Sequence, residues 1–183
     1  GYDGKGQVVL AGPDDEVGVA AARLRAQGQA VVVERWVELA MEVSVVIARA
    51  TNGAAVTYAP IQNRHRDQIL DLSSCPAAID HALTSAVSAL ARTVVEALDL
   101  VGVACVEFFL SSSGDLLINE IAPRPHNSGH LTIEAAETSQ FEQQLRAITG
   151  LPWGRPLCSG RPRWPTSLGT CGATPSRIGQ QRW

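Results

Sequence analysis

The sequence predicts an α+β fold: an antiparallel sheet with flanking helices, the sheet built from hairpins. Three observations carry this. Asn52-Gly53 sits between two apolar runs and is the strongest two-residue hairpin signal. The runs 101–110 and 116–121 are joined by Ser111-Ser112-Ser113-Gly114-Asp115, which reads as a second hairpin. Two long stretches, 80–98 and 133–149, carry helical periodicity instead of alternation. Hairpins interleaved with long helices argue against a doubly wound parallel sheet.

Taken in order, a glycine-rich segment at the start runs into a short apolar strand at 8–10. The stretch 14–27 reads as a helix: Pro13 and Asp14 open it, Val17, Ala20, Ala21 and Leu24 share a face, and Gly28 stops it. Val31, Val32 and Val33 mark a strand over 29–37. Strands at 41–51 and 54–60 flank Asn52-Gly53. Gln62 to Asp67 is polar and aperiodic, so it reads as a loop. In 80–98, Leu83, Val87, Leu90, Val94 and Leu98 recur at helical spacing. The helix 133–149 ends at Gly150, the residue expected just past a helix end. From Pro152 onward Pro, Gly, Arg, Ser, Thr and Trp alternate without period.

The chain has 183 residues, 45% of them apolar, enough for a sizeable core. No apolar run reaches membrane-spanning length and no apolar leader opens the chain, which predicts a cytoplasmic protein without a membrane partner. Cys75, Cys105, Cys158 and Cys171 are widely spaced with no zinc-type cluster, so free thiols are expected. Charge is uneven: all 18 acids lie in 1–150, giving −8 there, whereas 151–183 carries five arginines and no acid. That basic stretch has neither a helical pattern nor a dense basic run, so nucleic acid is not the expected partner. Lys5, in the glycine-rich segment, is the only lysine.

The hairpin at 101–121 carries the most chemistry. A two-residue turn at Ser113-Gly114 puts Glu107 directly opposite Glu120 on one face. Like charges there repel unless compensated, and Mg2+ is the natural compensator, because hard cations take carboxylate oxygens alongside substrate phosphates. The bland alternative is two solvent-facing acids. Val103, Cys105, Phe109, Leu116 and Ile118 flank the pair with apolar side chains, which favours a metal. Beyond the strand, Pro123 and Pro125 stiffen a segment bearing Arg124, His126, Asn127 and Ser128. Arginine binds oxyanions by a planar fork and histidine moves protons near neutral pH; an ordinary polar loop is the alternative. Gly1-Tyr2-Asp3-Gly4-Lys5-Gly6-Gln7 can wrap phosphates with backbone N–H groups, but alone it is a weak signal. Glu34-Arg35-Trp36-Val37, with Glu42 eight residues after Glu34, suits an adenine edge and ribose hydroxyls, although on these residues alone a strand end with surface acids is favoured.

Together these segments resemble the ATP-grasp enzymes, and among them the 5-(carboxyamino)imidazole ribonucleotide synthases of purine biosynthesis. The matching stretches are GYDGKGQ (1–7), VERWV (33–37), EVSVVIAR (42–49), NRHRD (63–67), ILDL (69–72), VGVACVEFF (101–109), NEIAPRPHNSGH (119–130) and TSQFEQQLRAITGLP (138–152). They cover 1–154 in the family's order. The resemblance implies an ATP-dependent carbon–nitrogen ligase with ATP and Mg2+ as cofactors. Bicarbonate and 5-aminoimidazole ribonucleotide would be its substrates, carboxyphosphate its intermediate, and a homodimer its usual assembly. It assigns the flexible phosphate loop to Gly1 through Gln7, the adenine hinge to Glu34, Arg35, Trp36 and Val37, and ribose to Glu42. His65, Asn119 and Glu120 join the nucleotide pocket, Glu107 and Glu120 bind magnesium, and Arg124, His126, Asn127 and Ser128 handle bicarbonate and carboxyphosphate.

Two departures from the family follow. Its N-terminal domain and upstream ATP-binding lysine have no counterpart here, and 155–183 matches nothing of its β-rich C-terminal region. The expected organisation is a partial ATP-grasp domain at 1–154 and an irregular basic tail at 155–183. The tail's composition resembles a shifted reading frame, or a divergent low-complexity segment. The chain alone is expected to be inactive. A formate-dependent glycinamide ribonucleotide transformylase-like ligase shares the PRPH pattern, but Asn127-Ser128 argues against it; a non-catalytic nucleotide-binding fragment is the rival from another class.

Overall fold

The computed structural model describes residues 14–26, 28, 30, 32–66, 69–157 and 170–171. The chain divides into two compact units, one of 1–37 with 67–69 and one of 38–66 with 70–183. In the first, α1 (Asp14–Arg25) is followed by Gly28 at φ 75°, the left-handed stop expected there. The predicted strand at 29–37 is not formed: residues 30 and 32–37 lack regular structure, and Val32 and Val33 are exposed. A valine run favours a pleated surface only where another strand supplies the ladder.

The second unit holds the sheet. β1 (Leu39–Arg49) is its centre; β2 (Ala55–Thr57), β3 (Ile61–Arg66) and β4 (Ile69–Cys75) follow. Then come α2 (His81–Ala97), β5 (Gly102–Ser111) and β6 (Leu116–Ala122). A 3-10 helix (Asn127–Leu131), α3 (Thr132–Ala135), α4 (Gln140–Thr149) and the two-residue β7 (Thr170–Cys171) complete it. The strand order is β6-β5-β1-β3-β4-β7, with β2 also on β1. The registered pairs of β1 and of β5–β6 are antiparallel; β4–β7 is parallel. The predicted class, an antiparallel sheet with flanking helices, is the one formed.

Two local expectations fail for identifiable reasons. Residues 62–66 do not form the expected loop, and 67 lies outside the described residues: 61–66 is β3, paired with β1 at Glu42↔Asn63 and Ser44↔Ile61. Its polar residues conceal a strand because Asn63 is buried against other polar groups rather than apolar ones. The predicted helix at 133–149 is two helices, interrupted where Ala136 is extended and Ser139 caps α4 by accepting from the Glu142 N–H.

The sheet is covered on both faces. Val45, Val106 and Phe108 pack on Val87 and Ala91 of α2. Val46, Ala48, Val103 and Cys105 pack with Leu131, Ala135 and Ala147 from the segments after β6. Cys75 and Cys105 are free thiols, as expected. Among the described residues no helix is long and apolar enough to cross a membrane. Most of 155–183 lies outside the described residues.

Candidate functional site

The site is the continuation of one sheet face beyond its helical cover. Along β1 the sequence Ala48, Val46, Ser44, Glu42 runs outward on this face; along β5 it is Val103, Cys105, Glu107. Side chains alternate across a strand, so apolar residues give way to polar ones at the same step on both strands. The register places Ser44 opposite Glu107, and Glu107 opposite Glu120 on β6.

The predicted Glu107–Glu120 pairing is present, by a different route. The turn is not two residues: Ser111 N–H donates to the Asp115 carbonyl and Gly114 N–H to the Ser111 carbonyl, closing a three-residue loop with Gly114 at φ 90°. This shifts the pairing near the turn, setting Leu110 opposite Leu116 and Phe108 opposite Ile118. An irregularity between Glu107 and Phe108 leaves Asn119 unpaired and restores the shift, so Glu107 meets Glu120. The same bulge means that Leu116 and Ile118 lie opposite Leu110 and Phe108, on the α2 face, and do not flank the acids.

Burial, then repulsion from Glu120, raises the Glu107 carboxyl from 4.5 to about 7; Glu42 adds to the rise, while His65 and Arg124 oppose it. The His65 imidazole pairs with the Glu42 carboxylate, and that hydrogen bond raises its pKa. Arg124 donates to the Pro125 carbonyl at 3.0 Å. A hard divalent cation fits this donor set: two facing carboxylates, one of them held partly protonated for lack of a compensating charge. A carboxyl with a raised pKa holds its proton more tightly in the folded state than in the unfolded state. In the absence of divalent cations, the Glu107 contribution to stability therefore falls as pH rises from 4.5 to about 7, while the lowered pKa values of His126 and His130 contribute in the opposite direction. His65 adds loss in the same direction as pH rises through its raised pKa. Thermal melts of the wild type and Glu107→Gln across this range check it: the variant's advantage should grow as pH rises and shrink when Mg2+ is added, and an advantage that does not change with pH contradicts it.

His126 stands at the edge of the carboxylates, with Nε2 3.3 Å from Glu107 Oε1. Burial, with Arg124, His130 and His65 adding, lowers its pKa to about 4, so the ring is neutral at pH 7. Its backbone is clamped by Gln140, whose Oε1 accepts from His126 N–H at 3.0 Å and whose Nε2 donates to the His126 carbonyl at 2.8 Å. Cys105, Glu107 and His126 offer ligand atoms within 4.8 Å of one another. Burial pushes the Cys105 thiol up to about 12, so without a metal it is protonated at neutral pH.

Of the residues predicted from sequence, Glu42, His65, Glu107, Glu120, Arg124, His126 and Ser128 belong to one neighbourhood. Asn127 opens the 3-10 helix and is exposed; Asn119 is the bulge residue. Glu34, Arg35 and Trp36 are exposed and Val37 half-buried, in the other unit. Gly1 through Gln7 lie outside the described residues. Sequence reasoning missed Ser44, Asn63, Ser73 and Gln140, all buried. A signal existed for Gln140: with Gln143 and Ala147 it occupies the i, i+3, i+7 stripe of α4 that faces inward.

The ATP-grasp domain family matches residues 1–141. The chain is 43% identical over 155 residues to the N5-carboxyaminoimidazole ribonucleotide synthase of Bacillus subtilis, an alignment covering 85% of this chain and 40% of that relative. The crystal structure of the synthetase from Thermus thermophilus matches with TM-score 0.75 and 43% identity, over 82% of this chain and 41% of the other. The Aspergillus clavatus enzyme in complex with ADP and 5-aminoimidazole ribonucleotide matches with TM-score 0.67 and 34% identity, over 75% and 37%. The chain thus spans about two-fifths of the length of the relatives it matches.

Proposed function

Because this chain belongs to the ATP-grasp family, we propose that it carries the phosphoryl-transfer centre of an N5-carboxyaminoimidazole ribonucleotide synthase, an ATP-dependent carbon–nitrogen ligase of purine biosynthesis. One observation carries the reading: two facing carboxylates, Glu107 and Glu120, with Arg124 and His126 at their edge. The likeness to synthases, one of them holding ADP and 5-aminoimidazole ribonucleotide, supplies the substrates.

In this reading a bicarbonate oxygen attacks the γ-phosphorus of ATP and the bond to the bridging oxygen breaks, leaving ADP and carboxyphosphate. The amine of 5-aminoimidazole ribonucleotide then attacks the carboxyl carbon, or carbon dioxide freed from it. Phosphate leaves and the nitrogen gives up a proton. Mg2+ held by Glu107 and Glu120 supplies positive charge at the phosphates when bound. Arg124 presents a planar fork of donors to the oxygens on which charge develops. His126, neutral and fixed at backbone and ring, offers a donor that needs no reorganisation during the reaction. Asn127 and Ser128 border the same carboxyphosphate position. Glu42, with His65 and Asn119, takes part of the nucleotide; the resemblance gives the adenine edge to Glu34, Arg35, Trp36 and Val37 and the phosphate loop to Gly1 through Gln7.

Because the chain alone is expected to be inactive, the test is ADP release by a full-length relative into which residues 38–150 of this chain are grafted, with bicarbonate and 5-aminoimidazole ribonucleotide against formate as the alternative co-substrate. Stimulation by bicarbonate supports the ligase reading; stimulation by formate moves the chain to the transformylase-like class. Mg2+-dependent nucleotide binding that responds to neither makes it a non-catalytic nucleotide-binding module.

A further inference from the structure

A buried polar chain ends on His126. Ser73 Oγ lies 2.8 Å from Asn63 Oδ1, and Asn63 Nδ2 lies 2.9 Å from Ser44 Oγ. Ser44 Oγ lies 2.9 Å from Ser128 Oγ, which is 2.9 Å from His126 Nδ1. The four links come from β4, β3, β1 and the 3-10 helix, and all are buried. A chain of polar groups crossing three strands beneath a charged site is costly to bury unless every link is satisfied.

The direction of each bond follows from one end. The Ser128 backbone N–H donates to His126 Nδ1 at 3.4 Å, so Nδ1 carries a lone pair, not a proton. Ser128 Oγ must then give its single proton to Nδ1. Its two lone pairs remain for the Ser44 hydroxyl and for the Cys105 thiol, 3.6 Å away. Ser44, having donated, accepts from the Asn63 amide nitrogen, and the Asn63 carbonyl oxygen accepts from Ser73. The ring proton is left on Nε2, the atom beside Glu107 Oε1.

We propose that Asn63 is a positioning residue which, through Ser44 and Ser128, holds His126 as the Nε2–H tautomer with that N–H turned toward Glu107. The importance of this tautomer for turnover rests on the ligase reading above; the tautomer itself does not. An amide suits the task because it offers a donor on one side and an acceptor on the other, so a single orientation sets the whole chain.

The isosteric variant Asn63→Asp reverses the polarity. An ionised carboxylate only accepts, so Ser44 must turn to it, Ser128 must turn to Ser44, and Nδ1 must carry a proton to donate to Ser128. Ser44→Ala cuts the chain one link later. Long-range proton–nitrogen NMR on the labelled chain, with His126→Gln identifying the ring, reads both nitrogens without any nucleotide. Expected are a bare Nδ1 and a protonated Nε2 in the wild type, a protonated Nδ1 in Asn63→Asp, and a partial shift the same way in Ser44→Ala. A wild-type ring protonated on Nδ1 overturns the proposal, and so do folded variants with unchanged ring signals. If Asn63→Asp fails to fold, the wild type and Ser44→Ala decide. In bicarbonate-stimulated ADP release, Asn63→Asp should lower kcat on the order of tenfold or more, with KM for ATP unchanged. A raised KM at constant kcat counts against positioning. Absence of release in a full-length relative carrying residues 38–150 of this chain overturns the ligase reading and leaves the tautomer result standing.

Discussion

Glu107→Gln is expected to stabilise the cation-free protein while abolishing its response to Mg2+. Both effects have one cause. The Glu107 carboxyl is buried opposite Glu120 and near Glu42, and it titrates at about 7 instead of 4.5. Keeping such a group ionised costs the folded chain roughly 3 kcal/mol. Glutamine keeps the shape and an acceptor oxygen for the adjacent His126 Nε2, but it carries no charge and suffers no repulsion. At pH 8 without divalent cations the variant should therefore melt above the wild type. Added Mg2+ should raise the wild-type melting temperature by mass action and leave the variant unmoved. Mg2+-supported ADP release should fall about a hundredfold or more, the scale for removing one well-placed electrostatic group. This opposition of stability and activity separates a functional acid pair from two harmless surface acids. A variant that melts lower than wild type without Mg2+, or one that keeps the Mg2+ response, would sink the metal assignment.

That pair also marks how far sequence reasoning reached. Its acids were legible from strand alternation and cross-strand repulsion, although the inferred turn was one residue too short and the compensating bulge at Asn119 went unseen. Neither feature is set by composition: a loop of three serines and glycine accommodates several turns, and a bulge is chosen by what each face must bury. The polar chain was illegible for a related reason. Asn63 and Ser44 break the apolar pattern by which buried strands are recognised, and their partners lie 10 to 84 residues away in sequence. Arg124, His126 and Ser128 were legible because they follow directly from a strand whose acids were already suspect. The order of hairpins and helices was legible over 39–60 and 80–150, apart from the break before Ser139, whereas 61–75 concealed two strands and 29–37 misled because its valines have no ladder partner among the described residues.

Gly129→Ala is expected to release the loop that carries His126. Gly129 is buried in the 3-10 helix, and its φ is not left-handed, so alanine suits the backbone. The obstacle is lateral. A β-carbon there would lie 2.5 Å from Gln140 Oε1, 2.8 Å from its Cδ and 3.0 Å from its Nε2. The end of a glutamine ordinarily swings aside at little cost, but this one is fully buried and makes two hydrogen bonds to the His126 backbone. Moving it leaves the His126 N–H without its acceptor and the glutamine amide without partners. At roughly 1–3 kcal/mol for each unsatisfied buried group, the variant should lose on the order of 3 kcal/mol or more. Turnover should fall with it, because His126 no longer has a fixed backbone. The decisive measurement is a double-mutant cycle in urea. Gln140→Ala removes the clamp by itself, so adding Gly129→Ala to it should cost almost nothing further. Losses that simply add would show that the glycine is required for some other reason, and that the Gln140 clamp does not hold the loop.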